Sequence, residues 1–349
     1  MPQNIQPIAG EKSAADGRPS GADGRSLALQ NRFPIARFQS LIALFLLCLA
    51  LSILSDKFLT FSNLWNVMRQ ISVNICISVG MTLIVLTAGI DLSVGSVLAL
   101  CGAITAGLLK NGIEIPSLNL FIGFTLLGAT LVGAVTGSAL GAFNGWAITR
   151  FSVPPFVATL AMLTVARGLT MLWTGGFPIS GLGETFQFIG TGWFLAIPVP
   201  VWISIVVVAF AVFLTEKTRI GRYIYAIGGN ESASRLSGIH VSRVKIIVYT
   251  IAGALAAVGG IMVTSRLDSA QPNAGISYEL DSIAAVVIGG TSLSGGRGSI
   301  LGTVQGAIII GVLNNGLVLL NVSPFWQQVV KGLVILLAVI IDKANAKNE

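Results

Sequence analysis

Catalysis and ion coupling need groups that ionise, ligate or attack, and this 349-residue sequence holds few of them where they would count. Asp91 is the one carboxylate near the interior of an apolar run; Arg167 lies toward the outer part of another and Lys331 near the outer end of a third. An ionisable side chain in such a setting is costly and marks either a pathway or a paired charge. A proton- or sodium-driven carrier usually needs more than one such group, so the sequence argues against ion coupling. The single histidine, His240, stands in a polar loop with no second His or Cys nearby, which argues against zinc, haem and His-based nucleophilic catalysis. Cys48, Cys76 and Cys101 fall inside apolar runs and read as small buried hydrophobes, not as a disulfide frame or metal site. No catalytic or metal-binding residue is assigned.

Neutral polar residues are commoner. Asn74, Ser78, Thr82 and Thr87 share one apolar run, and Asn144, Gln305, Asn314 and Asn315 lie in others. Such a lining suits a neutral, hydroxyl-rich solute better than an ion, although the same residue types also bridge helices without transporting anything. The candidate path residues are Asp91, Ser93, Asn74, Asn144, Gln305 and Asn314.

The elements that must position them follow from composition. With 54% apolar residues, 10% charged residues and a mean hydropathy of +0.84, the chain reads as an all-α, polytopic transmembrane bundle. Apolar runs at 38–54, 71–88, 92–109, 118–143, 154–173, 198–214, 246–263, 282–293, 300–320 and 325–341 predict about ten spans; eight spans with re-entrant segments near Gly89 and Gly290 fit nearly as well. An interfacial helix through Leu64, Trp65 and Met68 precedes the second span. On this threading 15 of the 21 Lys and Arg lie inside, four outside, and two within spans, which places both termini in the cytoplasm. The net charge of +7 therefore reflects orientation and not nucleic acid. Residues 1–36 read as a disordered cytoplasmic tail, 37–342 as the membrane domain and 343–349 as a second cytoplasmic tail.

Two Gly-rich junctions look alike: GIDLSVGS at 89–96 and GGTSLSGGRGS at 289–299. Either they are broken helices exposing backbone groups near the midplane, as in many transporters, or they are ordinary helix starts capped by Asp91 and Ser292. The segment 215–245, TEKTRIGRYIYAIGGNESASRLSGIHVSRVK, carries six Lys or Arg and must lie in water. Within it Asn230 can cap a short helix from Glu231 to Ser237, with Gly238 as its left-handed terminator.

GMTLIVLTAGIDLSVGSVLAL (80–100), NGWAITRFSVPPFVATLAML (144–163), GRYIYAIGGNESASRLSGIHV (221–241) and SIAAVVIGGTSLSGGRGSILGTVQGAIIIGVLNNGL (282–317) closely resemble the membrane permease subunits of bacterial ABC sugar importers of the ribose, xylose and galactose type. The likeness runs from about residue 38 to 341. It implies an inner-membrane transport subunit that pairs with a second permease copy, receives a monosaccharide from a periplasmic binding protein, and is driven by a cytoplasmic ATPase that holds ATP and Mg. The chain itself lacks the G-x-x-x-x-G-K-[ST] phosphate loop, so no cofactor is expected in it. The resemblance makes Asn230, Glu231, Ser232, Ala233, Arg235, Leu236 and Gly238 the ATPase-coupling residues, although Glu231 and Gly238 depart by one residue from the family's Glu-Ala-Ala and Gly spacing. Glu184, Arg266, Asp268 and Glu279 become candidates for docking the binding protein, because charged rims set encounter and register. A secondary carrier and an intramembrane enzyme are the competing classes; scarce buried carboxylates oppose the first, and the lack of in-span His or paired acids opposes the second.

Overall fold

The computed structural model describes residues 35–347. Within them thirteen helices run in order: α1 (Ile35–Leu54), α2 (Phe61–Leu86), α3 (Val94–Asn111), α4 (Leu126–Phe151), α5 (Pro155–Thr174), α6 (Glu184–Thr191), α7 (Val199–Lys217), α8 (Arg219–Gly229), α9 (Glu231–Leu236), α10 (Val241–Leu267), α11 (Tyr278–Ile288), α12 (Ile300–Leu319) and α13 (Pro324–Lys347). Three short antiparallel pairs decorate the connections: β1 (Ile113–Ile115) with β2 (Leu120–Ile122), β3 (Ile179–Ser180) with β6 (Ser269–Ala270), and β4 (Trp193–Phe194) with β5 (Ile197–Pro198). Among the described residues α2, α3, α4, α5, α7, α10 and α12 are long and apolar enough to cross a bilayer, and α1 and α13 carry shorter apolar stretches, Leu41–Leu54 and Pro324–Leu337. The tail expected at 1–36 lies almost wholly outside the described residues; of the one expected at 343–349, residues 343–347 continue α13.

α2 and α10 form the centre. Every residue of α2 from Ile71 to Leu86 is buried, the polar Ser72, Asn74, Ser78 and Thr82 included, as befits a largely apolar helix surrounded by neighbours. α10 packs against α2, α3, α4 and α6. Glycines recur every fourth position along the buried face of α4: Gly133 lies against Cys101 and Thr105 of α3, while Gly137, Gly141 and Gly145 line the seam with α10, against Gly253 and Ala257, Tyr249 and Gly253, and Ile246 respectively. Small residues let backbones approach where lipid supplies little hydrophobic force between helices. A Cβ on Gly145 would stand 2.7 Å from the Ile246 Cα. Gly145→Ala is accordingly expected to cost about 1–3 kcal/mol by overpacking, read as a lowered thermal midpoint of the detergent-solubilised protein.

Four expectations about the elements are corrected. The helix expected at Leu64–Met68 and the second span are one continuous helix, capped by Thr60, whose Oγ1 accepts from the Asn63 amide. The fourth span begins eight residues later than its apolar run. Leu118–Ile122 belongs to the β1–β2 hairpin, and Thr125 caps α4 by accepting from the Gly128 amide at 3.1 Å. The stretch 264–281 between two apolar runs is not all connection: α10 continues to Leu267, α11 begins at Tyr278, and between them Pro272 and Gly275 are buried, Gly275 packing backbone to backbone on Gly95 in the first turn of α3. Finally, α11 has 11 residues and so reaches about 16 Å at ~1.5 Å per residue, half of a ~30 Å hydrocarbon layer. It is a half-helix, continued by the irregular loop 289–299.

Candidate functional site

The first junction builds a buried polar knot. α2 ends at Leu86, Ala88 takes a left-handed conformation (φ 58°), and the chain turns back into α3. Asp91 Oδ1 accepts from the Ser93 amide at 2.8 Å and the Ser93 hydroxyl at 2.6 Å, and Asn144 Nδ2 of α4 donates to Ser93 Oγ at 3.1 Å. All three residues are buried. Thr159 Oγ1 of α5 accepts from the Leu92 amide at 3.2 Å and donates to the Ile90 carbonyl at 3.3 Å. Buried non-helical backbone persists only when protein groups satisfy it, and here Asp91 and Thr159 of α5 supply those partners while Asn144 of α4 bonds the Ser93 hydroxyl. Asp91 thus closes a turn before α3; Ser93, at the cap position, makes no side-chain cap bond. Asp91→Asn keeps the Oδ1 acceptor and should preserve stability, whereas Asp91→Ala leaves the Ser93 donors unmet and should cost about 1–3 kcal/mol. Thermal melts of the two variants side by side test this.

The second junction solves the same problem with glycine. Gly290, Gly295, Gly296 and Gly298 all have positive φ, 81°, 86°, 72° and 148°, values that L side chains rarely adopt. The loop satisfies itself and borrows from neighbours: the Ser292 amide donates to the Arg297 carbonyl at 3.0 Å, and the Gly296 amide donates to the Leu86 carbonyl at 3.0 Å. Ser292 does not cap α12. Ser299 does, its Oγ accepting from the Gly302 amide at 3.0 Å.

Asn314 joins a different cluster, which overturns the reading of Asp91 as the one buried carboxylate. Asp281 of α11 is 4% exposed. Its Oδ2 accepts from Lys331 Nζ of α13 at 3.0 Å and from Asn314 Nδ2 of α12 at 3.3 Å. Lys331 therefore points inward to a partner instead of snorkelling to the surface. Asn74 is buried on α2 and Gln305 half-buried on α12. An apolar groove of about 580 Å³ among α2, α7 and α12, lined by Ile75, Val208, Phe213 and Val304, offers a polar solute few partners.

At the opposite end of the bundle from the β3–β6 pair stands α9. Asn230 Oδ1 accepts from the Ala233 amide at 2.9 Å, and Gly238 follows the helix at φ 84°, so the cap and terminator stand where the sequence placed them. Glu231 anchors the helix: its carboxylate pairs with Lys245 of α10 at 2.7 Å and with Arg235 at 3.0 Å. Ser232, Ala233 and Arg235 face solvent, and Leu236 is 90% exposed at the tip. Beside it a polar cleft of about 270 Å³ opens between Ser152, Pro154, Glu231, Arg235, Ser242 and Lys245. The Lys245 hydrogen bond, against the opposing effect of partial burial, holds the Glu231 carboxyl below its ordinary value. A depressed carboxyl contributes above its unfolded value and is lost as pH falls through the folded one. The anchor should therefore persist through neutral and mildly acidic pH, and a pH titration of solute-stimulated ATP hydrolysis reads its loss.

The four rim candidates have unequal surroundings. Glu184 is exposed at the start of α6. Arg266 lies in the last turn of α10 against Gly190 of α6. Asp268 Oδ1 accepts from the Leu182 amide at 2.8 Å, holding the 180s loop to the end of α10. Glu279 turns inward toward Gly95 and Arg167. Arg167 itself donates from Nη1 to the carbonyls of Pro272 at 2.6 Å and Ala274 at 2.9 Å. That pinning explains how 271–277 can enter the bundle with its backbone satisfied. Sequence reasoning saw Arg167 and Lys331 as ionisable residues in spans; their partners, about 105 and 50 positions away, carry no sequence signal.

Residues 63–339 match the family described as branched-chain amino acid transport system / permease component. The chain is 49% identical over 320 residues to the ribose import permease protein of Haemophilus influenzae, covering 89% of this chain and 96% of that protein. It is 52% identical over 307 residues to the ribose import permease protein of Bacillus subtilis (87% and 92% covered) and 33% identical over 369 to the xylose transport system permease protein of Haemophilus influenzae (88% and 96%). No solved structure matches. The resemblance of the four sequence strings thus extends along nearly the whole chain, over its Gly-rich junctions and its capped turn at α9 alike. This polytopic helical protein belongs to the permease component family, a transport subunit and not an enzyme.

Proposed function

We propose that the protein is the permease subunit of an ABC importer, forming the membrane path for ribose or a closely related pentose, hexose or polyol. The observation that carries this is identity of about one half, along nearly the full length, to two ribose import permeases. The family description names amino acids and the relatives name sugars, so family membership alone leaves the cargo open. The neutral polar residues that the apolar runs carry, Asn74, Asn144 and Gln305 among them, suit a hydroxyl-rich solute better than an ion. A periplasmic binding protein delivers the solute, with Glu184 and Arg266 the better-placed rim contacts; Asp268 and Glu279 act through the loops they hold. A cytoplasmic ATPase, carrying ATP and Mg, docks on Asn230–Gly238 through Leu236, and a second permease copy completes the path.

The chain crosses the inner membrane ten times, α11 with loop 289–299 forming one broken crossing, and both termini lie in the cytoplasm. Lys110, Glu184, Arg266 and Asp268 gather on the rim of the β3–β6 pair, while Lys217, Arg222, Arg235 and Lys245 gather at the α8–α9 end, as the positive-inside rule requires. Proteoliposomes holding the permease, its ATPase and its binding protein test the cargo. Excess unlabelled ribose should abolish uptake of labelled ribose, xylose should compete less, and leucine not at all. Uptake of leucine in place of ribose would overturn the proposal.

A further inference from the structure

The last residues of the cytoplasmic helix α8 touch both the end of α2, just before the first Gly-rich junction, and loop 289–299. Gly221, Ile224 and Ile227 are its buried face. At its end the Gly228 backbone lies directly against the Leu86 carbonyl, on the last turn of α2, and against the Gly296 amide of loop 289–299. A side chain at 228 would overlap both, and a Cβ on Gly295 would stand 2.9 Å from the Ala88 amide and 3.0 Å from the Gly228 carbonyl. Loop 289–299 is bonded to the end of α2 at this spot, Gly296 amide to Leu86 carbonyl at 3.0 Å, and Tyr225 of α8 donates its hydroxyl to the Gly298 carbonyl at 3.0 Å. Five residues beyond Leu86 comes Asp91, with its bonds to Ser93 and, through Ser93, to Asn144. On the other side Asn230, the cap of α9, follows Gly229 without a linker.

We infer that Gly228 and Tyr225 are positioning residues for transport, passing a displacement of α9 directly to both broken helices through this three-way backbone seat. Contacts between backbones leave no rotamer freedom to absorb a small movement, so a shift of α8 must move Leu86 and Gly296 together. The long spans need only follow. The inference rests on the ABC permease reading, because it assumes an ATPase that moves α9.

The test measures solute taken up per ATP hydrolysed in proteoliposomes of the complete importer. Gly228→Ala should lower that ratio about tenfold, the scale of a coupling between sites. Gly229→Ala is the control: an added Cβ there meets nothing within 4 Å, and the ratio should stay at the wild-type value. Tyr225→Phe removes only the hydroxyl bond and should lower the ratio about threefold. A Gly228→Ala ratio equal to wild type, or equal losses in Gly228→Ala and Gly229→Ala, overturns the inference. Should Gly228→Ala fail to assemble, Tyr225→Phe decides alone: a fall supports the seat and an unchanged ratio refutes it. If the wild-type importer shows no ATP-dependent uptake at all, the permease reading fails and not the seat.

Discussion

Lys331→Met is expected to lower the stability of the solubilised protein by about 3 kcal/mol, and adding Asp281→Asn to recover most of the loss. The reason lies in what each change leaves behind. Asp281 is buried and its Oδ2 takes both the Lys331 ammonium and the Asn314 amide. Removing Lys331 alone strands a carboxylate where water cannot reach it, the costly way to break a buried pair. The double variant carries no charge there and keeps an acceptor for Asn314, so the bond between α11 and α12 survives and the new methionine still packs as an apolar side chain. Denaturation of wild type, single and double variants gives the coupling energy directly. A single variant as stable as wild type would mean that Asp281 does not depend on Lys331. The consequence reaches beyond stability: the half-helix α11 packs against α2, α12 and α13, and this cluster is its charged attachment.

The second large effect is at the tip of α9. Leu236→Asp should weaken binding of the partner ATPase by about 30-fold, equivalent to ~2 kcal/mol and typical of a dominant interface side chain. A leucine 90% exposed in water gains little in the isolated subunit, and on the proposed docking it would be buried against the ATPase. Glu231→Lys should act differently. It places like charges where Glu231 now meets Lys245 at 2.7 Å, freeing α9 from α10 while leaving Leu236 intact. Partner binding should then survive while solute-stimulated ATP hydrolysis falls about tenfold. Titration of the ATPase against the reconstituted permease separates the outcomes; retained stimulation in Glu231→Lys removes the anchor from the mechanism.

Much of the skeleton was legible because the bilayer imposes it. Runs of about 20 apolar residues located α2, α3, α5, α7, α10 and α12 to within a few positions or one turn, apart from the N-terminal extension of α2. The short α9 was legible residue by residue, since Asn230 and Gly238 act within one turn of the backbone they cap. Hydropathy misplaced α4 because 118–122 is apolar but belongs to a hairpin: Gly112, at φ 64°, breaks the chain after α3, and Pro116 lies within the turn. The pairing of Asp281 with Lys331 and of Arg167 with the 272 and 274 carbonyls was illegible, because each joins helices that only the fold brings together. Of the six path candidates, Asp91, Ser93 and Asn144 converge and Asn314 does not, since a buried amide serves helix contact as readily as a solute. The likeness of the two Gly-rich junctions was visible; that the second touches the end of α2, with Gly228 against both, was not.

The central claim is that this chain moves its solute by an ATPase docked on α9 and not by an ion gradient. Labelled ribose uptake into proteoliposomes, measured with ATP enclosed, with ATP omitted, and with an ionophore added, tests it most directly. Uptake should require ATP, the ATPase subunit and the binding protein, and should survive the ionophore. Uptake that persists without ATP and the ATPase, and collapses with the ionophore, would contradict the account.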